Sequence, residues 1–182
     1  MKKVIIADNL SRTREAASFL AEAIKKGKIK RFFNAVNGGA AVIALTGELG
    51  SGKTSFTQGF AEELGIKERL TSPTFVIQKK YKINPRKRIG YDYLIHIDAY
   101  RVKNPKEILD LGWEEMVFNP KNIIIVEWAE RVKDILPQNR VQINFKHLRG
   151  DKRKIIIGKP ESFHKKQSNN KADRGKNRKK HS

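Results

Sequence analysis

An α/β fold, a mainly parallel sheet flanked by helices with a small antiparallel extension towards its C-terminal end, is what this 182-residue sequence predicts, on three observations. First, an apolar run (Val42, Ile43, Leu45) feeds Gly47-Glu48-Leu49-Gly50-Ser51-Gly52-Lys53-Thr54, and a helix with Phe56, Phe60 and Leu64 at four-residue steps follows and stops at Gly65. Second, Leu94-Ile95-His96-Ile97-Asp98 and Asn122-Ile123-Ile124-Ile125-Val126-Glu127 read as apolar strands that each end in a carboxylate. Third, residues 141–145 and 154–157 flank a turn-forming stretch and read as an antiparallel pair. A glycine, four residues, then Gly-Lys-Thr between a strand and a helix is the phosphate-loop (P-loop) pattern, so the fold class is P-loop NTPase-like.

The residue types explain the spacing. Gly47, Gly50 and Gly52 open backbone conformations closed to residues with a Cβ, so that successive N–H groups, with those of Glu48, Leu49 and Ser51, point at one anion. The helix that starts there adds unpaired N–H groups and the positive end of its dipole. Lys53 is placed to reach the β- and γ-phosphates and the Thr54 hydroxyl to ligate Mg²⁺, with Ser55 next in line. The expected ligands are therefore ATP and Mg²⁺.

Length and composition allow one ordinary domain, residues 1–158, and a basic tail, residues 159–182, expected to be disordered. The absence of cysteine excludes disulfides and thiolate metal sites and fits a reducing, cytoplasmic setting. No apolar run approaches the length of a membrane span. The net charge is +20; the tail, with nine Lys or Arg against two acids, carries +7 of it, so +13 lies on the domain. Such an excess favours encounter with polyanions such as tRNA or rRNA, or is a solubility trait.

In chain order, residues 4–7 form a short strand or extended lead-in. An amphipathic helix from Ser11 carries Ala16, Phe19, Leu20, Ala23 and Ile24 and ends at Gly27. Residues 28–39 are a basic, then Asn/Gly-rich loop. After the phosphate-loop helix, Thr71-Ser72-Pro73-Thr74-Phe75 is a rigid turn into a strand, either a sensor of the γ-phosphate or a plain Ser/Thr turn. Strands at 75–81 and 91–97 are joined by the basic connector 82–90, a nucleic-acid-facing loop or a solvated tip. Asp98, at a strand's C-terminal end, is a Mg²⁺ or water ligand, or else a helix cap or partner of Arg101; His96 packs or hydrogen-bonds. A helix over 106–116 places Ile108, Leu109, Leu111 and Trp113 on its apolar side. Glu127 ends a buried strand where a carboxylate orients water or holds the metal shell, and Trp128 covers a purine or fills the core. A short helix, 129–136, is closed by Pro137.

Laid end to end, these motifs resemble one family, the bacterial ATPase of tRNA threonylcarbamoyladenosine biosynthesis known as TsaE. The segments that carry the resemblance are the phosphate loop, Thr71-Ser72-Pro73-Thr74-Phe75, His96-Ile97-Asp98-Ala99-Tyr100-Arg101, Leu111-Gly112, and Val126-Glu127-Trp128-Ala129-Glu130 leading to Leu136-Pro137, in the family's order. The resemblance implies that Lys53 and Thr54 bind phosphates and Mg²⁺ and that Thr74 belongs to a switch-like loop. It also implies that Asp98 and Glu127 serve metal and hydrolysis and that Trp128 contacts adenine. It further implies two partners, TsaB and TsaD, whose complex transfers threonylcarbamoyl to the adenosine beside the anticodon of ANN-decoding tRNAs, with ATP hydrolysis supporting repeated turnover. The spacer 28–39, the enlarged loop 82–90 and the tail depart from the family pattern, away from the phosphate site. Two other classes compete: a small-molecule kinase, which asks for an Arg-bearing lid, and a non-catalytic RNA-binding module, suggested by charge alone. Within residues 1–158 no Asn-Lys-x-Asp segment is present to read guanine; the match at Asn170-Lys171-Ala172-Asp173 lies in the tail.

Overall fold

The computed structural model describes residues 2–28, 38–68, 70 and 76–160. The spacer's residues 29–37, the Thr71-to-Phe75 turn with Thr74, and the tail from 161 onward lie outside the described residues.

Seven strands form one mixed sheet in the order β1-β7-β6-β2-β5-β4-β3. The strands are β1 (Lys3–Ala7), β2 (Ala41–Thr46), β3 (Gln78–Lys82), β4 (Tyr93–Asp98), β5 (Asn122–Glu127), β6 (Val141–His147) and β7 (Arg153–Gly158). The middle four, β6, β2, β5 and β4, run parallel, so their C-terminal ends meet at one edge. Both flanks are antiparallel: β3 pairs with β4, and β7 with β6 and β1. The antiparallel part is larger than expected because β1 joins the sheet through β7 instead of leading in from outside it.

Helices α1 (Leu10–Lys25) and α2 (Lys53–Glu63) cover one face; α3 (Lys106–Leu109), α4 (Trp113–Phe118) and a 3-10 segment (Ala129–Ile135) cover the other. The central strands are apolar on both sides because both faces are covered: Ile43, Leu45, Ile123 and Ile125 pack towards α1 and α2, and Val42, Ala44, Ile124 and Val126 pack the other way. Each fully buried Ile, Leu or Phe contributes about 1.5–3 kcal/mol. At the edges, exposed Lys79, Lys80 and Lys82 on β3 oppose pairing with a foreign strand.

Asn9 caps α1 by accepting the Arg12 N–H at 2.9 Å, one residue earlier than the Ser11 start expected from sequence. The helix expected over 106–116 is instead two short ones, because Gly112 takes φ +81° at the N-terminus of α4. The break buries Ile108 and Trp113 but leaves Leu109 and Leu111 exposed, and the Trp113 indole donates to the Ile135 carbonyl at 3.2 Å.

Phe60 is fully buried and stacks against Phe56 on α2. Replacing it by Ala is expected to cost about 3–5 kcal/mol through lost burial and a residual cavity, read from the midpoint of urea unfolding.

Candidate functional site

The phosphate loop, residues 47–52, leaves the end of β2 and enters α2 at Lys53. Gly47 sits at φ +140°, and a Cβ there would stand 2.6 Å from the Phe145 carbonyl oxygen, so β6 presses on the loop where a side chain cannot fit. Gly50 and Gly52 also have positive φ. The Ser51 N–H donates to the Glu48 carbonyl at 3.2 Å, and His147 Nε2 lies 3.4 Å from the Leu49 carbonyl. Glu48, Leu49 and Gly50 form the exposed crest, whereas Ser51 and Lys53 are buried. Gly52, the N-cap of α2, has no side chain to accept the first-turn N–H groups, which keeps that end suited to an anion.

Lys53 folds back over the loop. Its ammonium donates to the carbonyls of Gly47 at 2.6 Å and Glu48 at 2.8 Å and lies 3.8 Å from the Trp128 ring centroid. Burial pushes its pKa below that of an ordinary lysine, and the charges of Glu127, Glu130 and Asp98 oppose that shift.

Glu127, 1% exposed at the end of β5, is the junction of the site. Its Oε2 accepts from the Thr54 hydroxyl at 2.8 Å, its Oε1 accepts from the Thr57 hydroxyl at 3.0 Å, and His96 Nε2 lies 2.9 Å from the same Oε1. With the proton on Nε2, the imidazole donates to that oxygen. Asp98 stands beside Glu127 in the parallel register, and its Oδ1 accepts the Tyr100 N–H at 3.0 Å. The structure therefore brings Lys53, Thr54, Glu127 and Trp128 together at one edge, with Asp98 on the neighbouring strand end. Ser55 is half-buried on α2.

Trp128 has φ +57°, and its ring lies over the Lys53 ammonium. Tyr100 packs on it at 4.9 Å between centroids, and the Arg131 guanidinium lies 5.6 Å from the Tyr100 ring and 5.9 Å from the Trp128 ring. The indole thus sits where the lysine ammonium is.

No group of three or more His, Asp or Glu side chains among the described residues is arranged to hold a metal alone. An ion such as Mg²⁺, which keeps several waters and uses substrate phosphates, would ask for only one or two protein oxygens, and the Thr54 hydroxyl, bonded to Glu127, is the one that could be offered here.

Thr57 and Arg153 are not among the residues singled out from the sequence, whereas His96, expected to pack or hydrogen-bond, does hydrogen-bond, to Glu127. Thr57 lies one helical turn beyond Thr54, and His96 shares a strand face with Asp98, so both carried a periodic signal. For Arg153 there was none. Gly47→Ala is expected to destabilise the protein by about 2 kcal/mol or more, through the forced contact with Phe145 and the positive φ, as read by chemical denaturation.

The comparisons with known proteins bear on the family and the fold. The family described as threonylcarbamoyl adenosine biosynthesis protein TsaE matches residues 7–155. The chain is 44% identical over 116 residues to the tRNA threonylcarbamoyladenosine biosynthesis protein TsaE of Bacillus subtilis, covering 64% of this chain and 68% of that protein. It is 31% identical over 163 residues to the protein of the same name from Rickettsia felis, covering 87% and 82%. The crystal structure of YdiB from Bacillus subtilis superposes with a TM-score of 0.59 at 32% identity, covering 86% of this chain and 84% of that one. With a matched span that takes in the phosphate loop, both strand-end acids, β6 and the start of β7, the chain belongs to the TsaE family.

Proposed function

We propose that this chain is a Mg²⁺-dependent ATPase that acts in tRNA threonylcarbamoyladenosine biosynthesis by hydrolysing ATP on a TsaB–TsaD complex in the cytoplasm. The observation that carries the reading is the linkage of Thr54 and Glu127 beside Lys53: a hydroxyl at a helix N-terminus tied to a strand-end carboxylate next to a loop-held ammonium. Its biological setting comes from the relatives' names, and the two partners come from the family resemblance.

The work expected of each residue follows from its position. Backbone N–H groups of 47–52 and the Lys53 ammonium hold the β- and γ-phosphates, so the ammonium leaves two carbonyls for phosphate oxygens. The Thr54 hydroxyl, with Asp98 and Glu127 behind it, would hold a magnesium ion, which would supply charge neutralisation at those phosphates. Glu127, fixed from three sides, orients the attacking water in line with the γ-phosphorus and accepts its proton. Trp128 and Tyr100 shield that end of the site from bulk water.

Lys53→Ala is expected to lower ATP hydrolysis at least about 100-fold, with the circular-dichroism spectrum unchanged. Stimulation of hydrolysis by the TsaB–TsaD pair, and not by a small alcohol, distinguishes this role from that of a kinase; an unaltered Lys53→Ala rate contradicts it. The lowered Lys53 pKa adds a pH signature. Phosphate binding needs the charged form, so ATP affinity is expected to fall as pH rises through a value below that of free lysine, and Lys53→Arg is expected to delay the fall, measured by calorimetric titration.

A further inference from the structure

Arg153 opens β7 and is 8% exposed, yet its buried Nε and Nη1 atoms have no hydrogen-bond partner; only Nη2 is engaged, donating to the Asp151 carbonyl at 3.1 Å. Among the described residues it is the cation with buried, unpartnered nitrogens. A desolvated charge of this kind is retained at a cost unless something pairs with it. Its place is specific: Cδ and Nη1 each come 3.6 Å from where a Cβ on Gly52 would stand, so the guanidinium abuts the N-cap of the eleven-residue helix α2. Thr13 Cγ2 stands 3.4 Å from the same point, so the guanidinium is packed between α1 and the positive end of the α2 dipole, which adds to the cost of leaving it unpaired.

The strand order says which end of a ligand would meet it. Lys53 leans from the loop towards Trp128 and Glu127 on the β5 side, whereas Arg153 stands on the opposite side, on the strand beyond β6. A triphosphate lying along the loop with its terminal phosphates at Lys53 and Thr54 has its nucleoside end towards Arg153. Resting on the nucleotide reading above, we propose that Arg153 is a second phosphate-binding residue, taking an α-phosphate oxygen and setting the nucleotide's direction, with the base on the β6–β7 side and not at Trp128. Turning Nη1 and Nε onto the phosphate costs the side chain at most its one contact with the Asp151 carbonyl.

The full chain, R153M and R153K are compared by calorimetric titration with MgATP and MgADP and by thermal unfolding without nucleotide. R153M keeps most of the side chain's length and removes the charge. It is expected to bind both nucleotides at least about 10-fold more weakly, as befits a lost charge-assisted hydrogen bond, and to melt at the same or a higher temperature, since it no longer buries an unpaired cation. R153K, which restores the charge without the fork, is expected to fall between the two. Unchanged nucleotide affinity in R153M overturns the proposal whatever its melting temperature. If R153M melts lower as well as binding weakly, R153K decides: partial recovery of affinity supports the phosphate contact, and none overturns it. Failure of the wild-type chain to bind either nucleotide would overturn the nucleotide reading as well, which separates the two failures.

Discussion

The rest of the site depends on one buried carboxylate. Glu127 has lost nearly all contact with water, and an acid in that position needs donors on its oxygens. The donors come from separate parts of the chain: Thr54 and Thr57 from consecutive turns of α2, and His96 from β4. Their hydrogen bonds tie the helix behind the phosphate loop to two adjacent strands, so the position of the Thr54 hydroxyl is set by the sheet as well as by the loop.

Sheet topology makes this arrangement possible. Because β2, β4, β5 and β6 run parallel, the loop after β2 and the acids ending β4 and β5 emerge at the same edge. The antiparallel return of β7 brings Arg153 to that edge from the opposite flank, while β6 supplies the Phe145 carbonyl that makes glycine necessary at position 47. Cationic groups thus bracket the loop, Lys53 satisfied by carbonyls and an indole, Arg153 largely unpaired.

Much of this was legible in the sequence, wherever the signal is local. A strand, a glycine-rich turn and a helix in series announce themselves within 25 residues, and the acids at 98 and 127 were visible because each ends an apolar run. The two-faced burial of β2 and β5 was likewise readable from their unbroken apolar character. What escaped depends on pairing across the sheet. Nothing near Val4 says that β1 will find β7, and nothing near Arg153 says that its neighbour will be Gly52. The single helix expected over 106–116 failed for a local reason: the apolar spacing was read through Gly112, whose left-handed conformation resets the helical phase. Trp128 shows a further limit, since neither its positive φ nor the placement of its indole over Lys53 is visible in sequence.

The most direct measurement is a crystal structure of this chain with magnesium and a non-hydrolysable ATP analogue. The account predicts a cation about 2.1 Å from the Thr54 hydroxyl oxygen, the Lys53 ammonium moved from the Gly47 and Glu48 carbonyls onto phosphate oxygens, and Glu127 still held by Thr57 and His96. An analogue bound elsewhere, or bound with Lys53 still on those carbonyls and the cation remote from Thr54, would contradict it.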